Sequence, residues 1–174
     1  MRRLELPYIQ TSMSTTNNLA YTAPVNPSHT DPQITASQLW NGLLLKSRSA
    51  QTFVGGAILS TTVLDESVNE EGNLVINREV VFRASPEKPV AEKVTAYEPC
   101  RVEFEQPNGS LISNVISEGA EGELYLTYAF KWMHPDMSDP EEAKMALEKE
   151  KKMAREAVEG SLVAVRKLVE EGKL

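Results

Sequence analysis

An arginine interrupts the apolar face of a strand-like segment, LVINREVVFR, at residues 74–83. Because side chains alternate along an extended strand, Arg78 shares its face with four apolar residues, Leu74, Ile76, Val80 and Phe82. Two explanations fit this pattern. Arg78 either extends past an ordinary core face to reach water, or it lines a cavity in which a fixed cation faces a carbonyl or carboxylate of a ligand.

Glu92 is the carboxylate that a neighbouring strand offers to Arg78. In VAEKVTAYE, at residues 90–98, the same alternation puts Glu92 on the face of Val94 and Ala96. A lone buried guanidinium costs several kcal/mol, so we predict that Arg78 and Glu92 pair across two strands. The pair serves either as a structural salt bridge or as the support of a ligand-facing cation, and the pattern leaves both open.

Two more polar side chains lie on apolar faces and extend the candidate site. Asn114 shares a face with Ile112 and Ile116, where its amide contacts either a ligand or an irregular sheet edge. Tyr128 falls within an apolar alternation, and its hydroxyl needs a hydrogen-bond partner there. We therefore predict a ligand-binding set, with no catalytic residue assigned, that consists of Arg78, Glu92, Asn114, Tyr128, Trp40, Phe82 and Trp132.

Residues for several other chemistries are missing from the sequence. It contains no GxSxG, no HExxH and no phosphate-binding glycine loop, which removes the hydrolase and kinase classes. Cys100, His29 and His134 are far apart in the sequence, so we predict neither a metal nor a cofactor. Cys100 is predicted to be a buried thiol, and His134 a loop histidine at a strand end.

The elements that position these residues follow from turn and capping signals. A first strand is predicted over residues 18–25, and Thr35 with Gln38 forms a capping box that begins a helix. From residue 57 to 133, six short β-rich runs are separated by turn residues, with Asn108-Gly109 as the clearest hairpin turn. This close spacing favours an antiparallel meander over parallel crossovers.

The C-terminal segment is predicted to form one long helix. Asp139 caps it, Pro140 occupies its first position and Gly172 follows its last turn, so about 32 residues at 1.5 Å each span roughly 48 Å. Its second half carries an apolar stripe that should contact the sheet. Gly160 interrupts the helix, either for close packing against the sheet or to bend it at a pocket mouth.

Composition restricts the class of protein. With 174 residues, we expect a disordered tail at residues 1–17 and a single domain at 18–174. The net charge of −7 supplies no basic stripe, so nucleic acid is not an expected partner. No apolar run reaches the ~20 residues of a membrane span or forms a secretory signal, so we predict no membrane association and a cytoplasmic location.

Five stretches carry a resemblance to a known family: AYTAPVNP (20–27), LWNGLLLKSRSAQTFV (39–54), REVVFR (78–83), VTAYEP (94–99) and SNVISEGAEGELYLTYAFKWMHP (113–135). They resemble the fungal DUF1857 family, also called AtaL-like, of the Bet v 1/START-type SRPBCC superfamily. The resemblance covers the chain from about Leu19 to its end. It implies an α+β helix-grip fold, in which a curved antiparallel sheet wraps around the long C-terminal helix and encloses a hydrophobic cavity.

The resemblance also implies a function class without fixing it. Members are similar to proteins of fungal secondary-metabolite pathways, and some relatives are regarded as ligand binders or as cyclisation catalysts, including hetero-Diels-Alder catalysts. We therefore expect binding of a hydrophobic, oxygenated small molecule in an internal cavity. The alternative is a cofactor-independent cyclase that acts on a polyketide or terpenoid intermediate. A third hypothesis is a scaffold that docks a partner through the charged first half of the long helix.

Overall fold

The computed structural model describes residues 15–54 and 56–174. The predicted disorder of residues 1–14 therefore lies outside the described residues, whereas residues 15–17, which were predicted as tail, begin the first strand. The described elements follow one another as β1 (Thr15–Pro24), α1 (Ala36–Arg48), α2 (Gln51–Val54), β2 (Ile58–Val68), β3 (Leu74–Phe82), β4 (Val90–Tyr97), β5 (Arg101–Glu105), β6 (Leu111–Glu118), β7 (Leu124–His134) and α3 (Pro140–Glu170).

The strands form one antiparallel sheet in the order β1-β7-β6-β5-β4-β3-β2. The six strands from β2 to β7 are sequential neighbours, which confirms the predicted meander. Their tight turns use glycines with positive φ, among them Gly109 at 88° after Asn108, a conformation that other residues rarely adopt. The observed fold is thus the predicted helix-grip class, a curved sheet with a long C-terminal helix.

Both predicted helix starts are present. At α1 the backbone N–H of Gln38 donates to the Thr35 hydroxyl at 3.2 Å, and the backbone N–H of Thr35 donates to Gln38 Oε1 at 2.9 Å. At α3 the side chain of Asp139 accepts from the Glu141 N–H at 3.0 Å, with Pro140 in the first turn. These side chains accept from backbone N–H groups of the first turn, which have no acceptor within the helix, and so they define where each helix begins.

The main core lies between the inner face of the sheet and helices α1 and α3. The predicted stripe on the second half of α3 is buried there through Val158, Leu162, Val165 and Leu168. Each such side chain contributes about 1.5–3 kcal/mol when removed from water. This packing places α1 over β2, β3 and β6, and α3 over β1 and β7.

Two local predictions are wrong, and one of two alternatives for Gly160 is excluded. Cys100 is exposed in the turn between β4 and β5, not buried. His134 is the last residue of β7 rather than a loop residue. Gly160 faces α2 rather than the sheet, because a Cβ added there would stand 3.4 Å from the carbonyl oxygen of Phe53, an ordinary contact distance; a bend of α3 at this glycine stays a prediction.

No helix among residues 15–54 and 56–174 combines the length and the apolar character needed to cross a membrane.

Candidate functional site

Arg78 and Glu92 form the predicted pair. The register of β3 and β4 puts them directly opposite each other, and Glu92 Oε2 accepts from Arg78 Nη2 at 2.6 Å and from Nε at 3.0 Å. Each side chain is only 3% exposed, so the explanation in which Arg78 reaches water is wrong. Glu92 Oε1 accepts a further hydrogen bond from Gln106 Nε2 at 2.9 Å, which satisfies the second carboxylate oxygen.

The guanidinium of Arg78 also caps the end of helix α1. Its Nη1 donates to the carbonyl oxygens of Lys46 at 3.0 Å and Ser47 at 2.8 Å, in the last turn of the helix. Carbonyls in that turn lack intrahelical partners, and a cation there also complements the helix dipole. Arg78 therefore ties α1 to the sheet, and its role toward a ligand stays a prediction.

Asn114 and Tyr128 lie opposite each other on the inner face, as the register of β6 and β7 requires. Both side chains have no measurable exposure. Neither the amide nitrogen and oxygen of Asn114 nor the hydroxyl of Tyr128 has a hydrogen-bond partner among the described residues. A buried polar group without a hydrogen-bond partner costs about 1–3 kcal/mol. The inner face of the sheet therefore carries polar atoms that a ligand could hydrogen-bond.

Ser161 brings a third unpartnered polar group from helix α3. It is fully buried, and within the described chain its hydroxyl makes no hydrogen bond. Burial raises the pKa of the Tyr128 phenol, while the nearby Ser161 hydroxyl opposes part of that rise without reaching hydrogen-bond geometry. Tyr128 therefore keeps its proton at neutral pH and remains a hydrogen-bond donor.

Lys46, like Ser161, is a residue that the sequence predictions missed. It lies on α1 and is 7% exposed, with its Nζ 4.0 Å from the ring centroid of Tyr128 and 5.5 Å from that of Phe104. Loss of hydration, followed by the charge of Arg78, lowers the pKa of Lys46 to about 7, and Glu92 opposes this change. The sequence does indicate that Lys46 is buried, because it follows Leu39 and Leu43 at helical spacing and so lies on the buried face of α1.

We call Lys46, Asn114, Tyr128 and Ser161 the polar centre. They come from α1, β6, β7 and α3, so only the assembled fold brings them together. The phenol, amide and ammonium groups can each donate a hydrogen bond to a ligand oxygen, and the aromatic rings beside them supply apolar contact. Among the described residues, no group of three His, Cys, Asp or Glu side chains could hold a metal ion.

The predicted aromatic residues divide between two clusters. Trp40 is buried in the main core, and Trp132 packs against it while stacking on Phe130 with ring centroids 4.4 Å apart. Phe82 instead packs in a separate small cluster with Ala50, Ile58 and Val80. Trp40 and Trp132 thus share a core with Tyr128, whereas Phe82 does not.

His134 takes part in a second polar cluster at the end of β7. Its Nε2 lies 2.7 Å from Oε1 of Glu150 on α3, and Glu150 Oε2 accepts from Asn17 Nδ2 at 2.7 Å. These bonds join both strands at one edge of the sheet to the first half of α3. The cluster is satisfied within the protein and differs in this respect from the polar centre.

Two open surface depressions do not reach the polar centre. The larger, about 440 Å³, lies against the outer face of the sheet, because most of its lining residues, among them Ser113, Ala129 and Lys131, alternate with inward-facing residues such as Asn114 and Tyr128. The smaller, about 310 Å³, is lined by residues 133–137 and Glu142. An internal cavity therefore stays a prediction, which rests on the buried polar groups.

Comparison with known proteins gives one family and one fold. The family profile described as Acetylaranotin biosynthesis cluster protein L, AtaL, matches residues 19–172. Among solved structures, Ara h 8.0201 is 13% identical with a TM-score of 0.53, and the match covers 87% of this chain and 99% of that chain. No curated protein matches the chain.

Two further similar structures are named for biosynthetic pathways. The di-domain ARO/CYC BexL of the BE-7585A pathway is 10% identical with a TM-score of 0.56, over 87% of this chain and 49% of that one. The di-domain ARO/CYC StfQ of the steffimycin pathway is 6% identical with a TM-score of 0.59, over 90% of this chain and 52% of that one. The chain thus spans about half of each ARO/CYC protein, and identities this low show the fold alone.

Proposed function

The chain belongs to the AtaL family, and from this premise we propose that it binds a hydrophobic, oxygenated small molecule between the sheet and helices α1 and α3. One observation carries the proposal: Asn114, Tyr128 and Ser161 are fully buried with no protein partner among the described residues. Ligand sites combine an apolar wall with a few such polar groups. A ligand oxygen at the polar centre would remove the cost of leaving these groups unsatisfied.

The apolar part of the site comes from the main core. Phe104 and Tyr128 stand beside Lys46, and Phe130 packs edge to face on Tyr128 with ring centroids 6.3 Å apart. These rings suit a ligand with a rigid hydrophobic body. Arg78 serves this site indirectly in the proposal, because its bonds to the carbonyls of Lys46 and Ser47 hold α1 in place.

A cofactor-independent cyclase, acting on a polyketide or terpenoid intermediate, is the second candidate. It is supported by the neighbouring donors of Asn114 and Tyr128, which could polarise one carbonyl, since burial keeps the Tyr128 phenol protonated. The ARO/CYC proteins with a similar fold add support for biosynthetic chemistry. Holding reacting groups in a productive pose contributes up to about 7–11 kcal/mol without a nucleophile.

The test of binding is displacement of a hydrophobic fluorophore by a panel of polyketide and terpenoid compounds. We expect saturable binding at micromolar concentration, with oxygenated compounds preferred over hydrocarbons of equal size. Tyr128→Phe should reduce that preference about tenfold, the value of one good hydrogen bond. Tyr125→Phe is the matched control, because Tyr125 is partly exposed on the opposite face of β7 and bonds Glu123.

Two outcomes separate the candidates. A binder leaves the rate and the product ratio of a cyclising intermediate unchanged, whereas a cyclase alters both. If no compound of the panel binds saturably to the purified protein, the proposed function is wrong in either form.

A further inference from the structure

Lys46 brings a positive charge into the interior that no carboxylate of the described chain neutralises. Arg78 is the other buried cation nearby, and Glu92, the nearby buried carboxylate, is fully engaged by Arg78 and Gln106. Within the described chain, the Nζ of Lys46 stands over two aromatic rings, with centroids at 4.0 Å for Tyr128 and 5.5 Å for Phe104. The buried charges next to the polar centre therefore sum to one excess positive charge whenever Lys46 is protonated.

Among the described residues, no second buried anion lies beside Lys46. On β5, Glu103 and Glu105 alternate with the inward Phe104 and so lie on the outer face of the sheet. From β3 and β4 come Arg78 and Glu92, and from β7 comes Tyr128, which is neutral at pH 7 because burial raises its pKa. Helix α3 contributes the uncharged Ser161 and β6 the uncharged Asn114. The acidic residues of β2 near α1 are already bonded elsewhere, Glu66 to Arg48 and Asp65 to Asn77. Helix α2, QTFV, has no titratable side chain.

We propose that the polar centre selects ligands carrying a negatively charged oxygen, and that Lys46 binds that oxygen as an ammonium ion. This inference rests on the proposed function and adds a ligand class to it, namely acids. Every available donor of the centre suits the same group: the ammonium of Lys46, the phenol of Tyr128 and the amide nitrogen of Asn114. A carboxylate has two oxygens with several acceptor positions, enough to engage all three.

The charge state of Lys46 makes the proposal measurable. In the free protein its pKa is about 7, so near neutral pH the amine is partly neutral. An anionic ligand favours the charged form, so binding should take up a proton from solution. Above pH 7, affinity for an acid should fall by about tenfold per pH unit, since the amine must first be protonated. A neutral ligand should show no such dependence.

The experiment compares acids with their primary amides by isothermal titration calorimetry. We would use 2-naphthoic acid and 2-naphthamide as a rigid pair, and decanoic acid and decanamide as a flexible pair, between pH 6 and pH 9. The expected result at pH 6 is an acid at least tenfold tighter than its amide. Proton uptake should appear as a binding enthalpy that changes with the ionisation enthalpy of the buffer.

Variants of two lysines complete the test. In Lys46→Met the acid and the amide should bind alike and the pH dependence should disappear, whereas Lys93→Met, on the exposed outer face of β4, should retain both. Thermal unfolding checks that each variant is folded. If wild type binds the amides as tightly as the acids, the inference is overturned and the proposed function stands. If wild type binds none of the four compounds, the inference is overturned, and the displacement panel of polyketide and terpenoid compounds decides whether the proposed function stands.

Discussion

The Nη1 of Arg78 donates to the carbonyl oxygen of Ser47 at 2.8 Å, and this contact joins strand β3 to the buried end of helix α1. The same guanidinium is held on its other side by Glu92. The polar centre begins at the adjacent residue of α1, because Lys46 directly precedes Ser47 and directs its side chain over Tyr128. A structural ion pair thus controls the position of a residue that we assign to ligand binding.

Removing Arg78 should destabilise the protein strongly. In Arg78→Met, Glu92 loses its cation and the carbonyls of Lys46 and Ser47 lose their donor, so we expect a loss of about 3–5 kcal/mol in the free energy of unfolding. Urea denaturation measures it. The control is Arg48→Met, which removes an exposed pair with Glu66 and should cost under about 1 kcal/mol. Equal losses in both variants would contradict the prediction.

The double variant Arg78→Met with Glu92→Gln should recover only part of that loss. Neutralising Glu92 removes the uncompensated buried charge, but the two carbonyls of α1 remain without a donor. We expect a residual deficit of about 1–3 kcal/mol together with weaker ligand binding, because α1 is less well held. Full recovery of stability in urea denaturation would show that the helix cap contributes nothing.

Lys46 should make stability increase with pH. Its pKa is about 7 in the folded protein and 10.5 in a solvated chain, so the unfolded state binds more protons between these values. The contribution of Lys46 is therefore least favourable below pH 7 and improves by about 1.4 kcal/mol per pH unit above it. Lys46→Met should be more stable than wild type at pH 6, and the difference should narrow toward pH 9. A constant difference across this range of urea denaturation experiments would argue against the buried charge.

Tyr128→Phe should stabilise the ligand-free protein while weakening binding of oxygenated ligands. The hydroxyl is buried without a partner in the described chain, so its removal relieves about 1–3 kcal/mol of unfavourable free energy. Thermal unfolding without ligand tests this. The control Tyr125→Phe loses a partly exposed hydroxyl bonded to Glu123 and should change stability by less than about 0.5 kcal/mol. A destabilised Tyr128→Phe would contradict the prediction, because it would show that the hydroxyl has a partner, such as Ser161, in the ligand-free protein.

Two helical glycines should respond oppositely to alanine. A Cβ at Gly42 would stand 2.7 Å from Cγ2 of Val165, a fully buried and stiff side chain, so Gly42→Ala should cost about 1–3 kcal/mol. A Cβ at Gly160 would stand 3.4 Å from the carbonyl oxygen of Phe53, an ordinary contact distance. Gly160→Ala should therefore gain up to about 1 kcal/mol from helix propensity. Thermal unfolding measures the stability of both variants. A stabilised Gly42→Ala with a destabilised Gly160→Ala would be evidence against the described packing of α1 on α3.

Local patterns in the sequence determined most of the fold. The capping box of Thr35 and Gln38 and the turn at Asn108-Gly109 depend on residues within a few positions of each other, so their chemistry is readable without the rest of the chain. Alternation along the strands likewise predicted that Arg78, Asn114 and Tyr128 point inward. It even indicated Glu92 as the partner of Arg78, because both lie on inward faces of consecutive strands.

Only the tertiary structure decided what stands opposite each inward side chain. The periodicity of apolar residues shows on which face of an element a residue lies, but not which helix covers that face. The helix-capping role of Arg78 and the position of Lys46 over Tyr128 were therefore not predictable from the sequence. Phe82 shares a strand face with Arg78 yet lies in a different cluster, since the core divides along that strand. Contacts between residues distant in sequence depend on how whole elements pack, and that packing is set by the combined burial of many side chains rather than by any one pattern.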